Sequence, residues 1–207
     1  MNPIDLVKHE LTQCELDNSL LERGVRELPD QCPFGNHRLF IFYGATGKFD
    51  FPTLPGGSYC MFAANGHVAT RLTRKNKEIC SILSQEWEHL PNADSVVLSS
   101  LILKFYDGGI RSSHRVLRHA NELQEFGPNY QLNEREFNKT LDLIGKTTAT
   151  RKDGELEIRA VTLMGWMHDK RNLGIEHITI NPSGVVTMKQ RMVLSKRIFK
   201  STPQIRY

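Results

Sequence analysis

The chain has 207 residues, of which 39% are hydrophobic and 24% charged, and carries a formal net charge of +4. That length supports one domain with appendages around a sizeable core, and the composition excludes collagen-like, disulfide-scaffold and wholly disordered chains. The charge is unevenly spread: residues 1–30 hold three basic and seven acidic residues, whereas Val185 to Tyr207 hold six cations and no carboxylate.

In chain order, Asn2 followed by Pro3 predicts a capped helix start, and Ile4, Val7, Leu11 and Cys14 then repeat at helical spacing, with Gly24 as the stop. Residues 29–38 are broken by prolines, a glycine and an asparagine. The reading is therefore an acidic N-terminal helix and linker arm over 1–35 ahead of an α+β domain over 36–207. Arg38–Tyr43, Gly47–Phe51, Tyr59–Ala63 and His67–Leu72 are short β-prone runs. Ile79, Ile82, Leu83, Trp87 and Leu90 then mark one face of an amphipathic helix, with Thr73 as its cap and Pro91 as its stop.

The run Val96 to Phe105 is continuous and rich in branched residues, which predicts a central strand buried on both faces. Val116, Ala120 and Leu123 suggest a short helix closed by Gly127 and Pro128, and Asn133 with Glu136 a capping box opening a helix to Gly145. Leu156, Ile158, Ala160, Thr162, Met164 and Trp166 alternate. After a turn at His168–Asn172, Ile175–Ile180 and Val185–Leu194 flank Asn181-Pro182-Ser183-Gly184, a hairpin signal. The fold class is α+β: a single domain with a mixed or antiparallel sheet, one main amphipathic helix and a C-terminal β-meander.

Met1 to Asp5 lack the basic start and apolar run of a secretory signal, and the longest apolar stretch, Ser95 to Leu103, is half a membrane span. Cys14, Cys32, Cys60 and Cys80 form no C-x-x-C pair, so free thiols in a reducing compartment are expected. Gly44-Ala45-Thr46-Gly47-Lys48 has too few residues between its glycines, and no hydroxyl after its lysine, for a phosphate loop, and reads as a hairpin turn. Asp153, Glu155 and Glu157 read as solvent-facing strand positions beside an Asp-Gly turn rather than as metal ligands. No serine or cysteine lies in a nucleophile elbow, so no catalytic residue and no metal site is expected.

Three resemblances bear on function. The first rests on the order of elements: acidic arm, β-segment, amphipathic helix, apolar strand, cationic loop, helices and meander. With Ile82-Leu83-Ser84-Gln85-Glu86-Trp87-Glu88-His89-Leu90, Val96–Phe105 and Lys152–Arg159, it resembles the rhabdovirus matrix proteins, without their Pro-Pro-x-Tyr budding motif or lysine-rich start. The resemblance implies a non-enzymatic structural protein of virion and host cytoplasm or membrane periphery. It would need no cofactor and no small-molecule substrate, would form homo-oligomers, and would bind nucleocapsid or nucleoprotein and an anionic membrane surface.

The cations available for such partners are Arg71, Arg74, Lys75, Arg111, Arg115, Arg118, Lys189, Arg191, Lys196, Arg197 and Lys200. The apolar face Ile4, Val7 and Leu11 of the arm is the candidate self-association surface.

The second resemblance rests on Gly47–Asp50, Pro55–Tyr59, Phe62-Ala63 and Lys104–Tyr106, which are similar to the cytochrome-b5-like steroid-receptor-associated family. It implies haem ligation by Tyr59, with Lys104 and Tyr106 near the iron and Thr53 standing where the family has a second tyrosine. The third is His177-Ile178-Thr179, which resembles one half of a two-histidine phosphoesterase site; His67-Val68-Ala69-Thr70 has one residue too many to be the other half.

Overall fold

The structure, a computed structural model, describes residues 1–12, 24–43, 53–54, 57–73, 75–106, 114–122, 134–165 and 171–194. The α+β class holds: helices accompany two antiparallel sheets. The chain divides into two compact units. The first runs from Met1 to Ala93 and includes residues 105–109, so that it takes the last residue of the helix ending at Phe105, and the hairpin tip Pro182–Val185; the second holds residues 94–104 and the chain from 110 on, apart from that tip.

In the first unit, helix α1 (Pro3–Thr12) opens as its cap signal requires, the Ile4 N–H donating to Asn2 Oδ1 at 3.3 Å. Strands β1 (Val25–Glu27), β2 (Arg38–Tyr43), β3 (Thr53–Leu54), β4 (Gly57–Ala64) and β5 (Ala69–Leu72) form one antiparallel sheet around β4. Phe40 pairs with Phe62, and Phe42 with Cys60, so these side chains share a face. Val7 and Leu11 pack onto that face with Ala64 and Ala69.

The helix of the expected acidic arm packs on this sheet, which bears on the candidate self-association surface. Val7 and Leu11 are 0% and 2% exposed, and Ile4 packs partly buried beside them, so α1 covers its own sheet. Burial removes the apolar stripe from solvent, and with it the proposed self-association surface. The Gly47–Phe51 run and the 44–48 turn lie outside the described residues.

Helix α2 (Asn76–Gln85) buries the anticipated stripe: Ile79, Ile82, Leu83, Trp87 and Leu90 are all buried, and a 3-10 turn at Leu90–Asn92 carries Pro91. The Thr73 hydroxyl accepts from the Lys75 N–H at 3.2 Å and donates to Glu78, which fastens the approach to the helix two residues before its cap.

In the second unit, residues Ser95–Phe105 are helix α3, not the expected central strand. Asp94 decides this. Its carboxylate accepts from the N–H groups of Val96 and Val97 at 2.9 and 3.2 Å, and its carbonyl accepts from the Leu98 N–H, nucleating the first turn. Ser99 and Ser100 turn their hydroxyls back onto the carbonyls of Ser95 and Val96, hiding polar groups within the helix. Leu98, Leu101, Ile102, Leu103 and Phe105 are buried around the helix, so no single stripe separates it from a buried strand.

Burial works to raise the Asp94 carboxyl, but the Arg118 hydrogen bond at 2.6 Å and the two N–H donors outweigh it and hold it below the usual range. Asp94→Ala should cost about 1 kcal/mol, the worth of an N-cap, whereas Asp94→Asn should retain most of it; urea denaturation of the two variants compares them.

The short helix expected at Val116–Leu123 is also replaced. Residues Arg115–Leu117 form β6, which pairs with Val161–Leu163, because Val116 and Leu117 gain more by burial on a sheet than an isolated turn could supply. A single turn follows at 120–122, closed reciprocally by His119 N–H to Glu122 Oε1 and Glu122 N–H to His119 O. Helix α4 (Glu134–Ile144) ends at Gly145, whose φ of +66° suits the C-terminal cap.

Strands β7 (Thr148–Lys152), β8 (Glu155–Gly165), β9 (Arg171–Ile180) and β10 (Val186–Leu194) complete the second sheet, in the order β10-β9-β8 with β6 and β7 both on β8. The anticipated meander is present, and Asp153-Gly154, with φ of 51° and 79°, makes the tight turn between β7 and β8. No helix among the described residues is long and apolar enough to cross a membrane.

Candidate functional site

Two buried polar clusters were natural places to look for chemistry. In the first unit the fully buried Glu86, just past α2, accepts from the backbone N–H groups of Gly35, Asn36 and His37 at 2.8–3.1 Å, and His37 Nδ1 lies 2.5 Å from its Oε1. His37 Nε2 faces the Asn65 side-chain nitrogen at 3.2 Å. Burial would raise the Glu86 carboxyl, yet the His37 bond and the donated N–H groups hold it below the usual carboxylate range.

Both imidazole nitrogens and both carboxylate oxygens are thereby engaged, so the cluster fastens the loop 35–37 rather than offering a base. Cys32 donates its thiol to the His37 carbonyl at 3.1 Å, and burial pushes its pKa up, away from the reactive thiolate. Cys32, Cys60 and Cys80 are thiols that take part in no disulfide, and Cys14 lies outside the described residues.

In the second unit Glu176 on β9 is fully buried, with His114 Nδ1 3.5 Å from its Oε1. By register Glu176 faces Ala160 and Thr162 faces Gly174, so both polar side chains lie on the inner face of the sheet with Ile158 and Ile178. No group of three or more metal-ligating side chains occurs among the described residues.

The opposite face of this sheet carries a different chemistry. Antiparallel register sets Thr148 of β7 beside Arg159 of β8, Arg159 beside His177 of β9, and His177 beside Lys189 of β10. Directly opposed residues share a face, so Arg159, His177 and Lys189 form a row across three strands spaced about 4.8 Å apart. His177 and Lys189 are exposed and Arg159 half-buried. The Arg159 guanidinium donates to the Lys146 carbonyl at 3.0 Å; partial burial lowers its pKa while the group remains charged.

The next row toward the β7–β8 turn is Thr150, Glu157, Thr179 and Thr187, which places hydroxyls beside the cations, and one further row opposes Lys152 to Glu155. Arg159 and Lys189 stand on either side of His177, so an anion laid across the row meets two permanent cations.

The expected anion-binding residues are dispersed across the fold. Lys189 lies in the row, and Arg191 occupies the next register position on the same face, opposite Ile175. Arg115 on β6 is exposed, whereas Arg118 pairs with Asp94 and its charge is locally answered. Arg71 on β5, opposite Phe62, and the exposed Lys75 belong to the first unit. Arg74, Arg111, Lys196, Arg197 and Lys200 lie outside the described residues.

Arg159 was not among the anion-binding residues expected from the sequence, and His177 was noticed only for its His-x-Thr spacing. The signal available was the Asp-Gly turn, which sets the β7–β8 register, combined with the Asn-Pro-Ser-Gly hairpin, which sets that of β9 and β10.

The other candidates fall out as follows. Tyr59 is on β4 opposite Tyr43, and Thr53 is on β3 opposite Ser58. Lys104 is half-buried on α3, where burial lowers its ammonium pKa, and Tyr106 follows that helix. His67 lies in the bend before β5, its N–H donating to Asn65 Oδ1 at 2.9 Å, so it contributes no second strand element of a two-histidine site. The expected helix followed by a strand over Val96–Phe105 is, in this chain, α2 followed by α3. No family model matches the sequence, and no curated protein or solved structure matches it either.

Proposed function

We propose that this chain is a non-enzymatic structural protein that binds a polyanionic partner, in a role of the viral matrix type. The observation that supports this best is the alignment of Arg159, His177 and Lys189 across three neighbouring strands on one face of the sheet, where His177 and Lys189 are exposed. Two permanent cations on either side of an imidazole, flanked by threonine hydroxyls, recognise regularly spaced negative charge and hold no substrate in a cleft. With α1 packed inward, copies assemble by lining up along the polyanion rather than by joining through Ile4, Val7 and Leu11.

Elution from a heparin column tests the proposal. Arg159→Gln/Lys189→Gln should leave the column at clearly lower salt than the wild type, while Lys75→Gln/Lys77→Gln, which removes the same charge from the first unit, should elute close to the wild type. Equal shifts in both doubles would mean that net charge alone governs retention and would overturn the assignment.

A further inference from the structure

Resting on that reading, we infer that the row is a proton-gated contact for a phosphodiester backbone, with His177 as the gate. The three positions are chemically unequal. Arg159 and Lys189 are fixed cations, and between them stands an imidazole, the side chain whose charge changes between pH 5 and 8. The row therefore offers two positive charges at alkaline pH and three once the imidazole is protonated.

By register the charged and titratable groups around His177 are Arg159 and Glu157 on β8 and Lys189 on β10, with Arg191 at the next register position of β10; on its own strand its same-face neighbours are Ile175 and Thr179. Glu157 is offset by one row and pairs across with Thr150 and Thr179, so the groups directly opposite the imidazole are both cations.

Threonine hydroxyls at 148, 179 and 187 border the row and donate to phosphate oxygens. No aromatic side chain stands among the described positions of these rows, which leaves nothing for bases to stack on. The expected ligand is thus a phosphate backbone held without regard to base sequence. An anion that prefers the protonated imidazole must, by reciprocity, bind more tightly as pH falls.

The test is fluorescence anisotropy of the full chain with a labelled oligouridylate, titrated with salt at pH 8 and pH 6. Each phosphate neutralised on a single strand adds about 0.7 to the steepness of log affinity against log salt. The wild type should therefore steepen on acidification by at least that amount, and His177→Gln should lose about 0.7 of the steepening, equivalent to about a 2.6-fold difference over a fourfold salt range. His177→Lys should bind with the steeper dependence at both pH values.

If His177→Gln steepens as much as the wild type while Arg159→Gln/Lys189→Gln still weakens binding, the gate is wrong and the face stands. If the double variant binds oligouridylate like the wild type, the face itself is wrong. Binding to vesicles of phosphatidylserine and phosphatidylcholine without binding to oligouridylate would overturn the choice of a phosphodiester partner.

Discussion

Replacing Glu86 by alanine is expected to destabilise the first unit by about 3–5 kcal/mol, the range for removing one partner of a buried charged pair. One carboxylate, fully buried, satisfies the backbone N–H groups of Gly35, Asn36 and His37 and the His37 imidazole. Alanine leaves those donors without an acceptor in a site closed to water, and each orphaned donor adds a desolvation penalty. Glu86→Gln keeps one carbonyl acceptor and should lose less.

The same network makes stability depend on pH. The folded carboxyl lies below its unfolded value, so its contribution is complete above the unfolded pKa and is lost as pH falls through the folded one. Urea midpoints measured from pH 7 downward should fall more gently for Glu86→Gln than for the wild type. A Glu86→Ala protein as stable as the wild type would show that the loop 35–37 is held by something else.

Gly184→Ala should be costly for a single added methyl, at about 2–5 kcal/mol. Its backbone is left-handed, with φ of +75°, which alone costs an L-residue about 1–2 kcal/mol. A Cβ there would also collide with the Cys80 carbonyl oxygen and stand 2.7 Å from the Ser84 nitrogen, both main-chain atoms of α2 that cannot swing aside.

The hairpin tip and α2 belong to the same unit and are further joined by the Ser84 hydroxyl donating to the Pro182 carbonyl at 3.3 Å. Gly154→Ala is the matched control. Its φ is +79° with no atom within 4 Å of the added methyl, so only the conformational cost of about 1–2 kcal/mol should appear. Thermal or urea melts that rank the two substitutions equally would contradict the close approach at Gly184.

Local patterns in the sequence were sufficient wherever a side-chain period or a turn residue acts alone. Asn2-Pro3, the buried Ile79–Leu90 stripe and the Gly145, Asp153-Gly154 and Gly184 turns all reappear, and the alternation along β8 holds from Leu156 to Ala160 before Val161 and Leu163 are buried as well. They failed where tertiary burial erases the period: Val96–Phe105 is apolar on all sides, and only the Asp94 cap and the back-bonded serines reveal it as a helix.

The fate of α1 was hidden for the opposite reason. Its apolar stripe was visible, but whether it meets its own sheet or another copy depends on Phe40, Phe42 and Phe62 presenting a face to it. The candidate site was legible only in fragments, because Arg159, His177 and Lys189 are separated by 18 and 12 positions along the chain and become neighbours only through strand register.

A two-dimensional amide NMR titration of the labelled protein with oligouridylate tests the central claim most directly. Shifts should concentrate on residues 157–161, 175–179 and 187–191, fade as salt rises, and leave α1 and its sheet unmoved. Shifts centred on the first unit, with those three stretches silent, would contradict it.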